Sequence, residues 1–426
     1  MIFDVKGLRS QFPALKRMVN GFPAVFFDSP GGTQTPQRVI DKMLDYMIHH
    51  NANSGGVFAT AIETDEIILN TRHAFADFFG CSHTEVSFGE NSTAINLKLS
   101  HAIARDLKPG DEIIITDIDH DANRSPWQIL EERGIVIRSV RVDLESLTLD
   151  MQDYENKLST KTKVVAFNYG SNAVGTISNA KEIINLARSV NAISVVDAVH
   201  YALHGVIDVK ELDVDFLFCS AYKFFGPHIG ILYSKAECMN TLKTLKISAQ
   251  KNNAPYKFET GTLNHEGLAG ALAAIEFIAE TGNKHPEYLK DNQVQYSQRR
   301  KEIICGMLAM ENYETPLANY FKDELRKIDG LKLYSPDKDQ RCTSTISFRI
   351  NNMQPLEIAK RLAEKGIFVW AGGFYVVGLM RALGLNESGG MVRIGLAPYN
   401  TKKEIDRTLI EIRNIAGDQY AQPLIS

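Results

Sequence analysis

Between residues 85 and 235, short apolar runs alternate with stretches of helical period, and each run closes on polar residues. The runs are EVSFGE, DEIIITDIDHD, IVIRSVRVD, KVVAFNYGSN, AISVVDAVH, VDFLFCSAYK and IGILYS; the helical stretches between them include NSTAINLKLSHAIARDL, SPWQILEERG and AKEIINLARSV. This alternation predicts βαβ crossovers and a mostly parallel sheet covered on both faces. From Ala269, GALAAIEFIAE predicts a helix, followed by the polar segment TGNKHPEYLKDNQ and a long helical stretch through Met310. Beyond that the pattern predicts a smaller α+β unit: TSTISFRI as a strand, EIAKRLAEKG as a helix, MVRIGLA as a strand and KKEIDRTLIEIRNI as a closing helix. The change of pattern puts a boundary near 285–295, with residues 19–288 as the larger unit and residues 1–18 and 289–426 as the smaller.

The 426 residues exceed one minimal core, since ~100–200 residues per domain implies two or three. With 44% hydrophobic and 23% charged residues the chain is an ordinary folded protein, which sets aside disordered, collagen-like and coiled-coil classes. The 47 basic and 51 acidic residues are intermixed, so no electrostatic footprint for nucleic acid or an anionic membrane is expected, and small partners are. Five cysteines, at 81, 219, 238, 305 and 342, form no C-x-x-C pair; a reducing cytoplasm is the expected compartment, without disulfide framework or structural zinc. MIFDVKGLRSQF has no apolar leader core, and no stretch reaches the ~18 apolar residues of a spanning helix.

Ligands of parallel α/β sheets bind at the carboxyl ends of the strands, which makes the polar residues there candidates as a set. Lys223 interrupts FLFCSAYKFFGPHIGILY. Buried, its amine is a nucleophile for an aldehyde; with its head in water it is an ordinary snorkelling lysine. Asp197 ends AISVVD, suited to a protonated pyridine nitrogen or to capping a helix. Asn91 and Ser92 stand at a strand-to-helix junction, a phosphate site or a plain N-cap. His120, in TDIDHDANRSPW, is suited to stacking on a flat ring or moving protons, or is a solvated loop residue; a metal site with Asp117, Asp119 and Asp121 lacks a second histidine or cysteine at ligand spacing. Neither G-x-x-x-x-G-K-[ST] nor G-x-G-x-x-G occurs after a strand, and Gly31–Gly32 in SPGGTQTP predicts a turn beside the site.

Taken together, SNAVGT, VDAVHYALH, SAYKFFGPHIGILY and MVRIGLAPYNTKKEID resemble the class V aminotransferase superfamily of fold-type I pyridoxal-phosphate enzymes, in its cysteine desulfurase and selenocysteine lyase branch. The resemblance runs nearly end to end. It implies an α/β fold with a large domain built on a seven-stranded-type, mostly parallel sheet between helices, plus a smaller α+β domain. It also implies pyridoxal 5'-phosphate as cofactor, with Lys223 as its Schiff-base lysine and carrier of the substrate's α-proton. Asp197 would face the ring nitrogen, His120 would stack on the ring, and Asn172 would bond the ring hydroxyl, with His200 beside it where desulfurases usually have glutamine. Asn91, Ser92, Ser220 and Tyr222 would hold the phosphate, joined by Thr262 from a second subunit, which implies a homodimer with shared active sites. Arg393 matches the arginine that binds the substrate α-carboxylate.

Two positions depart from the family pattern. Where desulfurases carry a cysteine on a mobile loop, this chain has VWAGGFYVVGLM, with Tyr375 roughly at the cysteine position and no cysteine after Cys342. Tyrosine cannot replace a polarisable thiolate in sulfur transfer. Tyr222 stands where many desulfurases have histidine, and its phenol still donates to phosphate. The resemblance therefore implies a subgroup without the catalytic cysteine, acting on a small α-amino acid, with C–S cleavage by β-elimination as the leading expectation. Transamination, epimerisation with Tyr375 as second proton donor, and a non-catalytic sulfur-trafficking or scaffold role are the alternatives.

Overall fold

A computed structural model describes residues 3–290, 295–337 and 340–421; residues 291–294, inside the expected boundary at 285–295, lie outside the described residues. The predicted strands form β1 (Val86–Gly89), β2 (Glu112–Thr116), β3 (Val136–Val140), β4 (Thr162–Asn168), β5 (Ile193–Asp197), β6 (Phe216–Ser220) and β7 (Gly230–Ser234). They make one seven-stranded sheet in the order β1-β7-β6-β5-β4-β2-β3. In the inner strands the apolar residues, Ile113 to Ile115, Val164 to Phe167 and Phe216 to Phe218 among them, are buried on both faces, as a doubly covered sheet requires, whereas on the edge strand β3 Val136 is exposed. β7 alone runs opposite to the other six strands and so pairs antiparallel with both β6 and β1. Residues 221–229, which connect it to β6, are fewer than the dozen or so that a parallel crossover needs. Across this strand, Gly230 lies so near the turn after β1 that a Cβ would sit 2.5 Å from the Asn91 carbonyl carbon.

Helices α1 (Ala59–Phe79), α2 (Ser92–Ile103), α3 (Ala180–Ser189), α4 (His265–Asn283) and α5 (Gln298–Leu325) surround the sheet. The stretch SPWQILEERG differs from expectation: after one α-turn, Ser125–Gln128, it tightens to a 3-10 turn and stops at Gly134 in the left-handed region. Helix α5 runs beyond Met310 and through Pro316 to Leu325, because Ala318, Phe321 and Leu325 extend its buried face. It packs closely on α4 at Gly282 and Gly306, where a Cβ would come within 1.8 Å and 2.2 Å of backbone oxygens of the facing helix.

A second sheet, β8 (Leu331–Tyr334), β9 (Thr345–Ile350), β10 (Trp370–Gly372) and β11 (Met391–Gly395), is antiparallel in the order β8-β9-β11-β10. Helices α6 (Pro355–Glu364) and α7 (Lys402–Ala421) belong to this unit, and Ile346, Phe348, Ile358, Leu362, Ile405 and Leu409 fill its core. The N-terminal segment does not divide at residue 18 as expected, because residues 24–27 alternate between the two cores, with Ala24 and Phe26 in the large one. Leu8 and Phe12 join the large core, where the Phe12 ring meets Phe225, Phe277 and Tyr399 edge-on. Val25 and Phe27 join the small one, and Val25–Phe26 pairs with Ile367–Phe368. A strap whose apolar residues find separate partners has no periodicity from which to assign it. Among the described residues no helix is long and apolar enough to cross a membrane.

Candidate active site

A cavity of ≈ 580 Å³ opens between the carboxyl ends of β4, β5 and β6 and the loop that follows β10. Lys223, Asp197, Asn172, His120, His200, Ser92, Tyr222, Tyr375 and Arg393 all line it. Asn91, Ser220 and Thr262 do not.

Lys223 follows β6 in a 3-10 turn, Ala221–Lys223. Its side chain is buried and its Nζ donates to the Pro30 carbonyl in the FFDSPGG turn. Burial pushes the ammonium from 10.5 down to about 7, helped by the Arg393 charge and opposed by the carboxylates of Asp197 and Asp28. The amine is therefore about half neutral at pH 7. No water-exposed head of a snorkelling lysine is present.

Asp197 ends β5, one register step across from Asn168 at the end of β4. One carboxylate oxygen accepts the Val199 N–H at 2.8 Å, a local turn contact, and the other has no protein donor among the described residues. Burial raises this acid to about 6, with the Val199 bond and the Lys223 charge opposing, so it is mostly ionised at pH 7. Asn168 gives its amide N–H to the Ile118 carbonyl at 3.1 Å and leaves a buried Oδ1 unpartnered.

His120 accepts the Ala122 N–H on Nδ1 at 3.1 Å, which leaves Nε2 as the protonated nitrogen of a neutral ring. Burial, reinforced by Lys223, lowers it to about 4, so the ring is neutral at physiological pH. The neighbouring aspartates hold its loop. Asp119 accepts from the Thr116 N–H and hydroxyl (3.1 and 2.6 Å) and from Asn123 (3.0 Å), and Asp117 pairs with Arg124 at 3.0 Å.

At the other end of the cavity Ser92 and Thr93 begin α2. Asn91 is the cap: its Oδ1 takes the Ala94 N–H at 2.9 Å, so the capping alternative describes its side chain. Ser220 is fully buried and its Oγ accepts the Ser92 N–H at 3.2 Å, bracing the helix start. Thr262 is exposed, on a segment anchored by Glu259, whose carboxylate takes both terminal nitrogens of buried Arg72 at 2.7 and 2.6 Å.

The small unit closes the far wall. Arg393 on β11 is buried, donates to the Asn172 carbonyl at 2.9 Å, and stacks 4.3 Å from the Phe374 ring centroid; its Nε has no partner. Burial lowers it to about 9, with Asp28 and Tyr222 opposing, and it stays cationic at pH 7. Asn172 returns a bond from Nδ2 to the Phe374 carbonyl at 3.0 Å. His200 turns Nε2 to the hydroxyls of Thr343 (3.1 Å) and Thr345 (2.8 Å), and burial, with His204, Lys223 and Arg393, keeps it neutral. Tyr375 is 74% exposed, its ring 5.4 Å from that of His120, on a backbone with positive φ at both Phe374 and Tyr375.

Three lining or adjacent residues carried a legible signal that went unused. Asn168 is a strand-end polar residue of the same kind as Asp197, Trp370 lies on the strand before the loop at 372–377, and Asp28 precedes the glycine turn. Asp28 has a buried, unpartnered Oδ1 and is raised to about 6 by burial, with Arg393 and Lys223 opposing.

This donor set fits pyridoxal phosphate. A partly neutral amine and a carboxylate with a free oxygen face one cavity, a flat neutral imidazole lies beside it, and a helix N-terminus with two hydroxyls lies at its end. The class-V aminotransferase family model matches residues 25–302 and 301–408. A cysteine desulfurase of Synechococcus elongatus is 34% identical over 98% of this chain and 65% of its own length. A probable cysteine desulfurase of Mycolicibacterium paratuberculosis is 33% identical over 97% of this chain, which spans 58% of that protein. A cysteine desulfurase of Serratia proteamaculans is 30% identical over the whole of both chains. The apo structure of a cysteine desulfurase from Thermococcus onnurineus superposes with a TM-score of 0.85 at 25% identity, covering 98% of this chain and 99% of that one.

Proposed function

The chain belongs to the class-V aminotransferase family, in its cysteine desulfurase-like branch, and from that premise we propose an enzyme that cleaves the C–S bond of a small α-amino acid by β-elimination, without a persulfide cysteine. Members of this family use pyridoxal 5'-phosphate. The observation that carries the proposal is the pairing of Lys223, with its amine lowered to about 7, and Asp197, with its uncommitted oxygen, in one buried cavity.

When bound, the cofactor supplies an electron-withdrawing ring that stabilises negative charge at the substrate's α-carbon. Lys223 Nζ, half neutral near pH 7, takes the α-proton and returns one where it is needed. The Asp197 carboxylate would keep a proton on the ring nitrogen, and His120, neutral at this pH, would pack on the ring without adding charge. Ser92, Thr93 and Tyr222 receive the phosphate, with Ser220 bracing Ser92; Thr262 of a second copy completes that contact, which makes the working unit a homodimer. Asn172 and His200, which line the cavity, would stand beside the ring hydroxyl, and Arg393 would offer its guanidinium to the substrate carboxylate.

The absence of any cysteine after Cys342, and of any among the cavity-lining residues, supports release of sulfur with the leaving group. Written in full, R–S–CH2–CH(NH3+)–COO− and water give R–SH, pyruvate and ammonium. We place this activity in the cytoplasm, where reduced thiols persist.

The test is the visible spectrum of the holoenzyme as cysteine, selenocysteine, cysteine sulfinate and other amino acids are added singly, followed by product assay. A band shift with equal yields of thiol or sulfide and pyruvate is expected. Alanine in place of pyruvate would mean desulfuration after all. A keto acid that keeps its side chain would mean transamination, and a racemised product blocked by Tyr375→Phe would mean epimerisation. A protein that takes up no pyridoxal phosphate would be a scaffold.

A further inference from the structure

Besides Lys223, two lysines among the described residues are buried. Lys257 has an ordinary solution, since its Nζ donates to the carbonyls of Met239 and Asn240 at 2.9 and 3.1 Å. Lys322 does not. It is 0% exposed on α5, and among the described residues its Nζ has one hydrogen-bond partner, Cys342 Sγ at 3.0 Å, and no carboxylate at ion-pair distance. A buried lysine is almost always paired with a carboxylate or satisfied by several oxygens, and a thiol sulfur is a weak acceptor. The arrangement is poorly explained by stability alone.

It is well suited to chemistry. Cys342 is only partly buried, whereas the Lys322 amine against it is shut away from water. An oxidised cysteine sulfur is an electrophile that condenses with a nitrogen nucleophile held against it. We propose that Cys342 and Lys322 form a covalent, reductant-reversible S–N link when the protein meets a peroxide.

The step balances. Peroxide transfers one oxygen to Sγ, giving a sulfenic acid and one water. Lys322 Nζ then attacks Sγ, the S–O bond breaks, and the oxygen leaves as a second water carrying a proton from nitrogen. Sulfur is oxidised by two electrons and peroxide is reduced by two. Two equivalents of an external thiol reverse the link, ending as a disulfide.

The link has a place in the fold. Cys342 bridges to Thr176, and the Thr343 N–H donates to the Gly175 carbonyl at 2.8 Å. Thr343 and Thr345 carry the hydroxyls that hold His200. A bond from Lys322 to Cys342 therefore ties α5 to the segment that supports one wall of the cavity.

The experiment is peptide mass spectrometry of the holoenzyme after hydrogen peroxide treatment and alkylation, with and without dithiothreitol. The expected product joins the Lys322 and Cys342 peptides, is lighter than their sum by two hydrogens, and disappears with dithiothreitol. Lys322→Met and Cys342→Ser both lack it, while circular dichroism shows each folded. Finding Cys342 as a thiol, or as sulfinic or sulfonic acid, with Lys322 in an unmodified peptide overturns the proposal, and so does a link that retains oxygen. None of these outcomes depends on which reaction the cavity catalyses.

Discussion

The cavity at the sheet ends and the seam between α5 and the segment before β9 each bury a lysine, and the two lysines face opposite surroundings. Lys223 looks into open space shared with Asp197 and Arg393, and its amine is lowered to about 7. Lys322 is closed in on every side against a single sulfur. A third, Lys257, is spent on two backbone carbonyls. Burial alone therefore does not mark a catalytic lysine. What distinguishes Lys223 is room for a reactant beside the nitrogen.

That contrast can be broken most directly at Lys223. Lys223→Ala is expected to reduce turnover by roughly 10²–10⁴-fold, the scale of a lost acid–base group, and to abolish borohydride-fixed cofactor, whereas Lys322→Met keeps both. Fixed cofactor in Lys223→Ala, seen by mass spectrometry, would remove the distinction. Next in size, Arg393→Lys is expected to raise KM for the amino acid about tenfold or more, because an ammonium cannot reproduce a bidentate grip worth roughly 1.5–3 kcal/mol; steady-state kinetics with kcat little changed would support a binding role.

The pH dependence sharpens the same comparison. Capture of pyridoxal phosphate by apoprotein needs the neutral amine, so its rate should fall about tenfold per pH unit below the Lys223 value of about 7 and level off above it. Stopped-flow absorbance checks this. The stability sign follows from the same depressed value. Between about 7 and 10.5 the unfolded chain holds a proton that the folded lysine has released, so this group makes the apoprotein more stable as pH rises through that window. Lys223→Met should remove that rise in thermal melts. The smallest effect belongs to Lys257→Met, which is expected to cost about 1 kcal/mol of stability in urea titrations and leave turnover unaltered.

Most of the sheet was legible because a strand buried on both faces must be continuously apolar, and its end must turn polar where the backbone meets a ligand or water. That rule found Asp197, and applied to KVVAFN it would also have found Asn168. The seam at Cys342 was not legible, because single residues that meet between separate elements, Lys322 with Cys342 and Cys342 with Thr176, leave no local period. Asn91 shows the limit from the other side: an asparagine before a helix serves as cap or as anion ligand with the same neighbours in sequence, and only the 2.9 Å bond to Ala94 decides for the cap.

By itself the amino-acid order determined the family, the mostly parallel sheet and the lysine and aspartate at the carboxyl ends of its inner strands, since apolar continuity and strand-end chemistry are local and additive along the chain. Tertiary structure alone decided how the N-terminal strap divides between two cores, that His200 leans on Thr343 and Thr345, and that the segment at Cys342 pairs with Thr176. Those facts depend on distances between segments remote in sequence, and such distances are set by how whole layers pack.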